Sequence, residues 1–222
     1  MSRVVIGALF LTVIVVSSFR VMTAFPESFY RFSSAQTSAD DLVKQLRELP
    51  TPLPAMGRSD GMIDPIEQRR RDLYRQLRWL GENALPALAR GLSDPDVRIR
   101  RNVALFLNVL AGGWVDYLRP KVNIASILQA LVAALNDSDP SVRGWSAQAI
   151  GEIGPDAAEA IPVLLTLLKD ENEGARNSAC IALRGIGPAA KAALPALREA
   201  LSDPSTDVRR FAAQAIVKIE GR

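Results

Sequence analysis

Aspartate and arginine recur six residues apart along this chain, among them as Asp94 and Arg100, Asp137 and Arg143, Asp170 and Arg176, and Asp203 and Arg209. A carboxylate facing a guanidinium does one of two things. It forms a charge-assisted, often two-pronged pair that holds structure together, or it takes part in proton transfer at a catalytic centre. Proton transfer near neutral pH usually draws on histidine, and none of the 222 residues is a histidine. The single cysteine, Cys180, leaves no internal disulfide and no multi-cysteine metal site. It takes the place held by Ala104, Ala147 and Ala213 in the other three segments, a core position and not that of a nucleophile. There is no phosphate-cradling glycine loop, dinucleotide fingerprint or metal-ligand spacing. An enzyme places its catalytic pair once, whereas a stacking element recurs in every unit. The pairs are therefore read as a structural ladder, and no catalytic residue, cofactor or metal is assigned.

The elements that carry the pairs repeat with them. Asp137, Asp170 and Asp203 follow one another at 33 residues, and so do Arg143, Arg176 and Arg209. Between Arg100 and Arg143 the spacing stretches to 43. Leu88, Leu131, Leu164 and Leu197 lie six residues before the aspartates, and Leu107, Ile150, Leu183 and Ile216 seven after the arginines. Each period reads as two short helices joined by a polar turn, the signature of a stacked solenoid. Clear units are predicted at 83–111, 124–154, 156–187 and 189–222. A degenerate capping unit at 41–80 precedes them, with Asp64 and Arg70 at the same six-residue spacing and Tyr74, Leu77 and Leu80 as core positions. The extra ten residues fall in an insertion at 112–123. Gly154-Pro155 and Gly187-Pro188 mark unit boundaries, glycine ending one helix and proline opening the next. In the turn, the aspartate is predicted to cap the second helix.

Residues 1–32 are of another kind. Arg3 precedes an apolar run from Val4 to Val16, and Arg20 interrupts before Val21 to Phe25. The run reads either as the core of a secretory signal or as a signal anchor spanning a membrane over residues 4–25, with Phe25, Phe29, Tyr30 and Phe32 as an interfacial belt. The anchor is favoured, with the repeats on the extracytoplasmic side; the alternative is a secreted or periplasmic product after cleavage. Residues 33–40 form a polar linker. Net charge of +3 and a pI near 9.3 are too mild to argue for nucleic acid.

The order Pro, Asp, Val-Arg, written here as Pro195, Asp203, Val208-Arg209 and, without its proline, Asp137, Val142-Arg143, resembles HEAT repeats, in particular the short units of the phycobilisome-lyase type. Ala175 replaces the valine in one unit. The resemblance covers about 83–222 and, loosely, 41–80. It implies an all-α fold, a right-handed α-solenoid of about five helical pairs behind an N-terminal hydrophobic helix. It also implies that the second helix of each pair lines the partner-binding surface.

Helical spacing places residues one, two, five and eight past each arginine away from the core. These include Arg71, Arg75 and Arg78 in the first unit, then Arg101 and Leu105, Trp145, Ile181 and Phe211. Apolar and aromatic side chains in a basic, polar setting are a protein-contact composition. The insertion adds Trp114, Tyr117, Arg119 and Lys121, residue types that dominate binding energy at interfaces. Between Arg69 and Arg101, nine arginines meet four acidic residues, a patch suited to an acidic protein or to anionic lipid. The predicted function is a non-catalytic interaction scaffold or accessory subunit for a protein partner, within reach of a membrane complex. The resemblance offers a second class, a phycobilin lyase-like helper in chromophore handling.

Overall fold

The computed structural model describes residues 37–50, 65–112 and 124–221. The predicted N-terminal helix, Asp64 and the insertion residues Trp114, Tyr117, Arg119 and Lys121 lie outside them. Contacts divide the chain at Thr37, and the body that begins at Ser38 holds every described helix.

All regular structure among the described residues is helical. Helix α1 (Ala39–Gln45) begins at Ser38, whose Oγ accepts the Asp41 N–H, and runs into a 3-10 turn at Leu46–Glu48. Helix α2 (Pro65–Leu80) completes the first unit. The later units pair a short first helix with a long second one. They are α3 (Leu85–Gly91) with α4 (Val97–Gly112), α5 (Leu128–Ala134) with α6 (Pro140–Ile153), α7 (Ile161–Leu167) with α8 (Glu173–Ile186), and α9 (Leu194–Glu199) with α10 (Thr206–Glu220). Each first helix is entered through one or two turns of 3-10 helix, the last two of which begin at Gly154 and Gly187. Those glycines have φ of +79° and +67°, a left-handed conformation that only glycine adopts without strain.

Leu88, Leu131, Leu164 and Leu197 are fully buried, as are Leu107, Ile150 and Leu183. Each removes its side chain from water for about 2 kcal/mol. One core runs through all units because second helices stack on second helices, α4 on α6, α6 on α8 and α8 on α10, while first helices and their 3-10 entries stack behind them. The closest approach is between α6 and α8. A Cβ on Gly185 would stand 2.2 Å from the Gly151 carbonyl oxygen, and one on Gly151 2.9 Å from the Ala182 Cα. The first unit joins differently. Tyr74 of α2 packs its ring 4.7 Å from Phe106 of α4, and the buried Asn102 amide donates to the carbonyls of Leu46, Leu49 and Arg98.

Candidate functional site

The recurring pairs run from one unit to the next. Arg100 donates through Nε and NH2 to the two carboxylate oxygens of Asp137 at 2.7 and 3.1 Å. Arg143 does the same to Asp170, at 2.7 and 2.7 Å, and Arg176 to Asp203, at 2.8 and 3.0 Å. The third nitrogen of each guanidinium turns back to its own unit. Arg143 NH1, for example, donates to the carbonyls of Asp137 and Ser138. One arginine thus clasps two turns. Asp94, at the start of the ladder, accepts the Asp96 N–H. Arg70 stands at the equivalent place but turns to Glu67 and to the Pro50 carbonyl, each at 2.6 Å, and is almost wholly buried.

The helix caps are a correction. Asp137 and Asp170 each accept the N–H two residues on, which closes the turn. In α6 and α8 the residue two places later caps the second helix, whereas Ser205 ahead of α10 makes no side-chain cap. Asp139 accepts the Ser141 and Val142 N–H groups, and Asn172 that of Ala175. Division of labour explains it: the ladder carboxylate is committed to the neighbouring arginine, so another side chain must satisfy the first turn of the helix.

These contacts shift the carboxyls. Burial works to raise Asp170, but Arg143 and the Asn172 N–H outweigh it and hold the group below its ordinary range. Asp139 is lowered against the same opposition by Arg101 and its two capping N–H groups. Asp203 is lowered chiefly by Arg176. A carboxyl whose folded pKa lies below its unfolded value stabilises the fold fully above the unfolded pKa, near pH 4, and loses that contribution as pH falls through the folded value. The urea midpoint should accordingly hold steady between about pH 7 and pH 5 and drop below about pH 4. In Asp170→Asn the neutral-pH midpoint should be lower and the acid decline shallower. A wild-type midpoint unchanged down to about pH 2.5 would contradict this.

The second-helix face is the other candidate, and the structure redraws it. Leu105 is buried, not presented to a partner, and Asn102, Gly144, Gly151 and Ser178 at equivalent positions are buried too. Each second helix is flanked by the second helices of neighbouring units, so part of the predicted outer face lies between units. Arg101 spans one of these boundaries, ion-paired to the Asp139 cap. Trp145 and Phe211 are half-buried and pack on the core, while Ile181 is half-buried.

Along the accessible edge, Asn108 donates to Gln148 at 3.1 Å and Gln148 to the Ser178 hydroxyl at 2.9 Å. Further on, Arg184 donates to Gln214 at 2.6 Å. The Arg184 guanidinium lies 5.8 Å from the Phe211 ring centre and that of Arg210 4.5 Å, two cations on one aromatic. In the first unit Arg71 and Arg75 are exposed beside Glu67 and Asp72, and Arg78 is half-buried. Trp79, 60% exposed, belongs with them and was missed, because it lies nine residues past Arg70, outside the set that helical spacing selected. Charge is segregated by layer. The five second helices, α2, α4, α6, α8 and α10, carry fourteen Arg and Lys against six Asp and Glu. The remaining described residues carry six against fourteen.

The family profile described as HEAT repeats matches residues 128–218. No curated protein sequence matches the chain. Among solved structures, the complex of CpcE and CpcF of phycocyanin lyase from Nostoc sp. PCC7120 contains a chain superposing with a TM-score of 0.58 at 20% identity, over 80% of this chain and 96% of that one. A designed armadillo repeat protein in complex with the peptide (KR)4 gives 0.56 at 20% identity, over 82% and 81%. An engineered protein gives 0.58 at 19% identity, over 82% and 79%. At these identities the likeness concerns the fold. Sequence profile and superposition agree: residues 128–218 match HEAT repeats, and the described residues form an all-helical solenoid fold of the HEAT and armadillo kind.

Proposed function

We propose that the chain is a non-catalytic interaction module that binds an acidic segment of a protein partner along its second helices. The observation that carries this reading is the pair of guanidiniums, Arg184 and Arg210, set against the Phe211 ring across α8 and α10, on helices that carry more cations than anions. Complementary charge steers and selects partners more than it sets raw affinity. On this layer two cations stand beside a half-buried aromatic, Arg184 and Arg210 with Phe211. Such places supply both an electrostatic and an apolar contact. The repeated ladder residues hold the units together, so specificity falls to the positions that differ between units, Trp145, Gln148, Ile181, Arg184 and Phe211 among them. Tethering through residues 4–25 is part of the same proposal; none of the described helices is long and apolar enough to cross a membrane.

The test uses a fluorescent oligo-glutamate peptide and the natural partners retained on immobilised protein. The Arg184→Ala/Phe211→Ala variant should weaken peptide binding about tenfold, and Trp145→Ala should remove a subset of the retained partners. Peptide binding and partner sets that match wild type in both variants would reject this surface.

The likeness to a chain of the CpcE–CpcF complex of phycocyanin lyase supports a second reading, a helper in chromophore handling. Co-expression with a phycobiliprotein and bilin separates the two, since only the second reading yields a coloured adduct.

A further inference from the structure

Every boundary between units has a leading face and a covering unit, and α9–α10 present a leading face that no described residue covers. Leu92, Leu135 and Leu168 are 3%, 2% and 6% exposed, whereas the equivalent Leu201 is 41% exposed. Ala104, Ala147 and Cys180 are fully buried; Ala213 is exposed. Leu107, Ile150 and Leu183 are fully buried, but Ile216 only partly. Arg209 keeps the inward half of the ladder geometry, with NH1 on the carbonyls of Asp203 and Pro204 and NH2 on the Thr206 hydroxyl. Among the described residues it meets no carboxylate. Three precedents in the same chain thus define the chemistry of a cover for this face: small and branched apolar contacts, and a carboxylate for the arginine.

We propose that a second copy of the chain supplies the cover, with α10 packed antiparallel on α10 about a two-fold axis. The residues are self-complementary in that arrangement. With Ala213 set opposite the second copy's Ile216, antiparallel numbering brings Arg209 opposite the second copy's Glu220. Small then faces large and cation faces anion, each twice by symmetry. Glu220 already receives Arg198 at 2.9 Å, and a carboxylate accepts more than one donor. Leu194 on α9 and Leu201 in the 3-10 turn at Ala200–Ser202 flank the contact and extend its apolar area.

The experiment measures the protein mass of the full chain by sedimentation in a density-matched detergent, at on the order of 10 μM. The wild type should sediment at twice the 24.1 kDa chain mass. Arg209→Glu alone and Glu220→Arg alone should each weaken self-association about tenfold or more, because like charges then oppose across the axis. An equal mixture of the two should recover the dimer, since both cross-contacts again join opposite charges. Ala213→Asp should be monomeric with an unchanged circular-dichroism melt, its side chain being exposed in the single chain. A monomeric wild type at that concentration overturns the proposal. So does a dimer that survives all three substitutions, or a mixture that fails to recover, the last by excluding the antiparallel pairing.

Discussion

Gly185→Ala is expected to destabilise the protein by about 3 kcal/mol, although an alanine in the interior of a helix normally stabilises by about 1 kcal/mol over glycine. The sign reverses because of what lies across the boundary. The new methyl would stand 2.2 Å from the Gly151 carbonyl oxygen, 2.7 Å from its carbon and 2.8 Å from its Cα. These are backbone atoms and cannot rotate away. Helices α6 and α8 must move apart, which loosens Ala182 and the fully buried Ile150 and Leu183 beside the contact. Thermal and urea unfolding would both report it, as a lower midpoint. If separation decouples the units on either side, the urea transition should also broaden, since stability in stacked repeats is a sum of unit and nearest-neighbour terms. A midpoint equal to or above wild type would show that the two helices do not approach this closely.

Arg143→Met should cost about 3 kcal/mol, and Arg209→Met about 1. Both arginines hold two carbonyls of their own turn. Arg143 alone adds the two-pronged bond to Asp170, where both side chains are largely buried, at 12% and 11% exposure. Removing one partner of such a pair strands the other charge away from water, which is the larger part of the loss. Adding Asp170→Asn to Arg143→Met should therefore recover part of it, as a double-mutant cycle would measure. Arg143→Lys should fall near the methionine variant, because an ammonium cannot span the carboxylate and two carbonyls in one plane. Measured in the monomeric Ala213→Asp background, equal losses at Arg143 and Arg209 would mean that the bond between units adds nothing.

The period, the helical pairs and the fully buried leucines were legible because each is dictated by a residue type recurring at fixed spacing. The ladder was partly legible. Asp and Arg at six residues announce a relation, but Arg100 takes only the backbone carbonyl of Asp94 and its carboxylate partner is Asp137, and partner choice depends on how units stack. The cap was misplaced for a related reason. Each turn offers two good capping residues two apart, such as Asp137 and Asp139 or Asp170 and Asn172, and only the geometry decides which is free to cap. Leu105 and Arg101 show the limit of reading one helix at a time. A single amphipathic helix has one buried face, whereas a second helix here is enclosed by its own first helix and by neighbours on either side, so positions that look outward are shared between units. Asn102 carried no signal, since its three carbonyl partners come partly from a segment more than fifty residues away.

The spacing between Arg100 and its carboxylate is 37 residues and that between Arg143 and its carboxylate 27, yet the shortest bond is 2.7 Å in both. The clasp does not depend on the length of chain that connects its halves. For protein engineering this makes 112–123 a natural insertion point, where a fluorescent domain or an epitope could be spliced in while α4 and α6 stay docked. It also points to how such an array could be lengthened, by copying a 33-residue block whose arginine and aspartate already match the ladder neighbours from Arg100 onward.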